Sequence, residues 1–138
     1  MSIQHRHTLG PLNILVVDDD ESVRSILVLG LERAGYAVDT ANDGVEGLEK
    51  LRTAKYDLLI SDYQMPRLNG LELVKRLRSE RMTLPVILVS GFLQMKDLAD
   101  LDNPRPTFLL KPFSLSELLA RVQTVLDAGD TNRGSQGS

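Results

Sequence analysis

The stretch LVVDDDES, Leu15 to Ser22, runs from side chains that belong in a core into four consecutive acids, Asp18, Asp19, Asp20 and Glu21. Crowded carboxylates repel one another and lose hydration, and a divalent cation makes such crowding tolerable. Two further charged groups stand at comparable places: DLLIS is followed by Asp62, and TFLLK ends in Lys111. Oxygen donors without cysteine or a helical histidine pair select a hard ion. Magnesium fits best, because it needs one or two carboxylates and keeps its waters for phosphate oxygens, with manganese as the alternative. Beside such an ion and an ammonium group, a spare carboxylate can attack a phosphoryl group and become an acyl phosphate. Asp62, between the acidic pair and Lys111, is placed for that attack.

These side chains meet only if the apolar runs before them are strands of one sheet. Five runs have strand length: Asn13–Val17, Ala37–Ala41, Asp57–Ser61, Pro85–Ser90 and Thr107–Lys111. The segments between them have helical period. Val23, Ile26, Leu27, Leu31 and Ala34 form one stripe before Gly35. Asn42 or Asp43 can cap a helix carrying Val45, Leu48 and Leu51. Asn69 with Glu72 resembles a capping box for a helix through about Arg81, with Leu73, Val74 and Leu77 inward; Ser114 with Glu117 opens another, carrying Leu115, Leu118, Leu119, Val122 and Leu126. Between the last two strands, Pro104 and Pro106 leave room for only a short fourth helix around Leu98. Apolar strands each followed by a helix imply a parallel sheet covered on both faces, with right-handed crossovers. Ligands of such sheets bind at the carboxyl ends of the strands. Those ends read Asp18 and Asp19, then Asp62, Ser90 and Lys111.

Composition narrows the function. A chain of 138 residues, 42% hydrophobic, suits one domain, and a net charge of −3 from 16 basic and 19 acidic residues offers no basic field for nucleic acid. No apolar run is long enough to span a bilayer and the start lacks a secretory signal, so a cytoplasmic protein without membrane insertion is expected. With zero cysteines there is no disulfide framework and no thiol nucleophile.

Together, ILVVDDDESVR, YDLLISDYQMPRLNG, LPVILVSG and FLLKPF resemble the receiver domain of two-component response regulators, in that family's order and spacing, over residues 12–127. The resemblance implies an α/β, flavodoxin-like (βα)5 doubly wound sheet of strand order 2-1-3-4-5, between a flexible segment 1–11 and a disordered tail 128–138. It implies that Asp62 accepts a phosphoryl group from a phosphohistidine of a sensor histidine kinase or histidine phosphotransfer protein. Asp19 and Asp62 would hold magnesium directly, with the Gln64 backbone carbonyl as third protein ligand and Asp18 acting mainly through water. Lys111 would pair with the phosphoryl oxygens, Ser90 would donate to them, and Pro112 would follow a cis peptide bond. Gln64 and Phe92 would tune how fast water hydrolyses the product. Ser90 and Phe108 would carry the switch, Phe108 turning inward as Ser90 moves, so that an altered surface reaches a downstream protein. The chain would be a monomer or weak dimer, and a regulatory phosphoacceptor that assists its own phosphotransfer and autodephosphorylation rather than an enzyme. Ser at 90, Phe at 108, the SGF sequence and the short fourth helix resemble receivers of hybrid sensor kinases more than those controlling transcription. No output domain fits after Leu126, so the chain is expected to act alone or within a longer protein.

Plainer roles compete at several positions. Asp20 reads as a helix N-cap and Glu21 as a favourable first-turn charge, so neither joins the site. His5 and His7 read as part of a mobile amino-terminal segment. A magnesium-dependent small-molecule phosphatase or phosphotransferase with an aspartyl-phosphate intermediate is the alternative function, but it wants a second aspartate at position 64, where Gln64 stands, and a cap over the cleft. A flavodoxin-like cofactor binder wants a phosphate loop where this chain places carboxylates.

Overall fold

Along the first strand, successive side chains point to opposite faces of the sheet. Ile14 and Val16 enter one apolar layer and Leu15 and Val17 the other, and all four are fully buried. Only a sheet covered on both sides accepts such a strand, and the computed structural model has one. It describes residues 10–92, 101 and 104–137, with residues 129–137 described for the backbone alone. The expected flexible start therefore lies almost wholly outside the described residues, as do His5, His7 and the expected short helix around Leu98.

Five strands, β1 (Asn13–Val17), β2 (Ala37–Ala41), β3 (Leu58–Asp62), β4 (Val86–Ser90) and β5 (Thr107–Leu110), form one parallel sheet in the order β2-β1-β3-β4-β5. This is the expected flavodoxin-like order. Four helices are described: α1 (Glu21–Arg33), α2 (Gly44–Thr53), α3 (Gly70–Ser79) and α4 (Leu115–Gly137). Leu48 and Leu51 of α2 and Leu73, Val74 and Leu77 of α3 cover one face with Leu15, Leu59 and Leu88; Leu27 and Leu31 of α1 and Leu118, Val122 and Leu126 of α4 cover the other with Ile14, Ile60 and Ile87. Each such leucine or isoleucine removed from water contributes roughly 1.5–3 kcal/mol before chain entropy is charged against it.

Caps start each helix where the strand end requires. The Asp20 side chain accepts from the amides of Ser22 (2.9 Å) and Val23 (3.3 Å), and Asp43 accepts from Glu46. Both capping boxes form, Asn69 with Glu72 and Ser114 with Glu117. At the sheet edges, the Lys50 ammonium donates to the Thr40 carbonyl and the Arg121 guanidinium to the Phe108 carbonyl.

Several elements differ from expectation. Ile26 is 62% exposed and Ala34 is exposed, because the buried stripe of α1 is Leu27, Gly30 and Leu31, flanked by half-buried Val23. Gly30 permits it: a Cβ there would lie 2.5 Å from Leu115 Cδ1. Helix α3 stops at Ser79 rather than near Arg81, since Arg81 takes a left-handed φ of 64°. The Met82 amide then bonds back to the Leu77 carbonyl (2.9 Å) and the Arg81 amide to the Arg78 carbonyl (3.0 Å), a Schellman closure made without glycine. Strand β5 ends at Leu110, leaving Lys111 just beyond it. Helix α4 continues through Gly137, where a disordered tail is expected from residue 128. No proline stops it, and a helix fixed by its packed early turns gains one hydrogen bond for each residue added.

Candidate functional site

The sheet register brings the acids together. Strands β1 and β3 pair Ile14 with Leu58 and, at their far end, Val17 with Ser61. One further step sets Asp18 beside Asp62. Asp18 is 4% exposed and Asp62 9%, while Asp19 stands in solvent. Carboxylate oxygens of Asp18, Asp19 and Asp62 all lie within 4.8 Å of one another. Helix α3 seals this rim from one side. Its Gly70 amide donates to the Tyr63 carbonyl (2.8 Å), and a Cβ at Gly70 would lie 2.5 Å from the Asp62 carbonyl oxygen.

Burial pushes the Asp18 carboxyl above the usual carboxylate range. The Asp20 amide, donating to Asp18 Oδ1 at 2.9 Å, works against that rise, and the neighbouring Asp62 charge adds to it. Lys111 reaches back across β4 to Asp62, its Nζ 3.3 Å from Oδ1, while its own amide donates to the Ser90 carbonyl at 2.7 Å. The Lys111–Pro112 peptide is cis, as expected from the resemblance. Asp18, Asp19, Asp62 and Lys111 thus form one constellation.

Ser90 sits at the same rim, 2% exposed, but its hydroxyl is engaged locally. It donates to the Phe92 carbonyl and accepts from the Phe92 amide at 3.2 Å. Phe92 itself is 52% exposed. Gln64 is exposed in the loop after β3, beside a shallow hollow lined by Tyr63, Met65 and Asn69. Phe108 is half-buried, registered with Leu88 and packed on the core layer that α2 and α3 cover. Sequence reasoning passed over Arg24, whose Nη1 donates to the Asp18 carbonyl at 2.6 Å. A basic residue one helical turn past the N-cap was its only sequence signal.

The donor set suits a hard dication. Magnesium–oxygen bonds near 2.1 Å put adjacent ligand atoms about 3 Å apart and opposite ones about 4.2 Å apart. Oxygens within 4.8 Å of one another are compatible with an ion that takes some of them directly and one through water. The cation would also offset the cost of holding Asp18 ionised in a buried place.

A model of the response regulator receiver domain matches residues 14–123. The chain belongs to that family. Among curated relatives, the response regulator MprA of Mycobacterium leprae is 43% identical over 116 residues, covering 83% of this chain and 51% of MprA. Among solved structures, the chemotaxis protein CheY4 of Vibrio cholerae is 32% identical with a TM-score of 0.77, covering 84% of this chain and 99% of that one. TrrA of Thermotoga maritima, solved in complex with Mg2+ and BeF, is 33% identical with a TM-score of 0.72, covering 83% and 98%. The chain spans about half the length of the curated relatives it matches. Receiver domains are regulatory phosphoacceptor switches of two-component systems and bind magnesium at an acidic pocket; the phosphatase alternative is not favoured.

Proposed function

We propose that Asp62 is the phosphoacceptor of this receiver domain, and that Asp18, Asp19 and Asp62 hold the magnesium ion, with the Gln64 backbone carbonyl as a further ligand. The observation that carries this reading is the convergence of three carboxylates within 4.8 Å, with Lys111 Nζ 3.3 Å from Asp62 Oδ1. An Asp62 oxygen attacks the phosphorus of a phosphohistidine; the new O–P bond forms as the N–P bond breaks, and the histidine leaves with its electron pair. Magnesium held by these carboxylates would neutralise charge on the transferring oxygens; the related TrrA was solved in complex with Mg2+ and BeF. Lys111 gives up its contact with Asp62 Oδ1 for the phosphoryl oxygens.

Ser90 then reports the event. To donate to the phosphoryl group its hydroxyl must leave the Phe92 carbonyl, which frees the turn after β4. Phe108, packed beside Leu88 under that strand, adjusts to the space vacated. Phe92 and Gln64 flank the path of the hydrolytic water and set the lifetime of the acyl phosphate. The donor is a sensor histidine kinase or histidine phosphotransfer protein, the acceptor of the signal a downstream protein, and the domain works as a monomer or weak dimer. No helix among the described residues is long and apolar enough to cross a membrane. The domain, residues 12–127, acts in the cytoplasm.

Intact mass after incubation with acetyl phosphate and magnesium tests the assignment. The native chain gains one phosphoryl group and Asp62→Asn gains none. Equal gain by the variant moves the acceptor elsewhere.

A further inference from the structure

We propose that Arg24 is a positioning residue that aims Asp19 into the carboxylate cluster by gripping the backbone in front of it. The proposal rests on reading that cluster as a magnesium-binding phosphoacceptor site.

The three acids are held in different ways. The Asp18 carboxylate is pinned by the Asp20 amide, and the Asp62 carboxylate touches the Lys111 ammonium. Among the described residues, no hydrogen bond or ion pair ends on the Asp19 carboxylate. What holds it is therefore its backbone, which sets where the side chain leaves the chain and which rotamers are open to it. A peptide unit is planar, so the Asp18 carbonyl and the Asp19 amide turn together. Arg24 Nη1 holds that carbonyl at 2.6 Å, and the Asp18 amide on the other side is tied to the Ala41 carbonyl at 3.2 Å. The peptide following Asp19 is fixed by the Asp20 amide on Asp18 Oδ1. Asp19 thus hangs between two pinned planes, and Arg24 supplies one of the pins. Arg24 is itself seated by its own amide, which bonds the Asp20 carbonyl at 3.0 Å in the first turn of α1.

Positioning and simple charge predict opposite signs. A guanidinium beside a cation site repels the cation, so a residue acting only through its charge would tighten magnesium binding when removed. A residue that orients a ligand weakens binding when removed, by about 10-fold or more for outer partners of metal ligands.

Magnesium affinity of the full chain, measured by titration calorimetry without any phosphoryl donor, decides between them. Arg24→Ala should weaken binding about 10-fold, and Arg24→Lys, which still offers a donor to one carbonyl, should recover most of the loss. Melting in EDTA confirms that each variant is folded; if Arg24→Ala is not, Arg24→Met, which keeps the stem but offers no donor, replaces it, with weaker binding again the expected result. Unchanged or tighter binding by the charge-removing variant, or no recovery with lysine, overturns the role of Arg24 alone. A native chain that takes up no magnesium overturns the phosphoacceptor reading and this inference together.

Discussion

The two ends of the sheet treat polar groups in opposite ways. At the amino end and along β2, three acids each have a donor. Asp57 accepts from the Asn13 amide at 2.7 Å, Asp39 accepts from the Tyr56 hydroxyl at 2.7 Å, and Glu80 meets Arg52. At the carboxyl end three acids face one another, and among the described residues the one ammonium in contact with them belongs to Lys111. The carboxyl groups register the difference. Tyr56 holds Asp39 below the ordinary carboxylate range, whereas burial lifts Asp18 above it. One rim is settled by its own contacts, and the other is completed by what binds there.

The largest test of that contrast is metal-dependent stability. At magnesium about 100 times above its Kd, the native chain should gain about 2.7 kcal/mol, read as a rise in Tm, and Asp19→Asn should lose most of that rise. A full rise in the variant would mean that the rim does not need this acid. A smaller effect of opposite sign is expected without metal. Asp18 has a raised folded pKa, so its stabilising contribution is full in acid and is lost as pH rises through that value. Asp18→Asn removes this penalty and should stabilise the EDTA-treated protein at neutral pH by on the order of 1 kcal/mol, about 4 °C in Tm. A lower Tm would place Asp18 among the satisfied acids. The smallest effect belongs to the other region. Tyr56→Phe should cost no more than about 1 kcal/mol, because the Asp39 partner is half exposed. It should also change the pH profile at both ends. The lowered Asp39 contributes above its unfolded pKa, and that contribution fades as pH falls through the folded value. Tyr56, pushed up to about 12 by burial and by Asp39, contributes fully below its unfolded pKa near 10 and loses that contribution as pH rises through about 12. Urea melts across pH should show both arms flattened in the variant.

The rim was legible in the sequence because its signal is local and abrupt. A strand-length apolar run that ends in a carboxylate must put that carboxylate at the strand's carboxyl end, and parallel pairing then gathers the ends. The capping boxes at Asn69 and Ser114 were legible for the same reason, since two side chains three positions apart hold the whole instruction. What escaped depends on angles and on distant partners. Ile26 and Leu27 are neighbours in sequence but about 100° apart around α1, and only packing against Leu118 and its layer decides which one is buried. Arg81 in a left-handed conformation breaks the preference for glycine at that position, and the closure on Leu77 compensates it. The Ser90 hydroxyl had two backbone groups within its own turn and took them. Arg24 was hidden because its target is a main-chain oxygen, which leaves no residue type to match.

The cations at the sheet margins bear on how the molecule behaves in a crowd. An open parallel sheet exposes rows of main-chain groups that invite another extended chain to join. Here such a newcomer would first have to evict Lys50 from the Thr40 oxygen or Arg121 from the Phe108 oxygen. Both are long side chains rooted in helices, α2 and α4, that already cover the sheet. Resistance to fibre growth is therefore built into the same helices that make the core, and a glutamine at either position should shorten the lag before aggregation of concentrated protein.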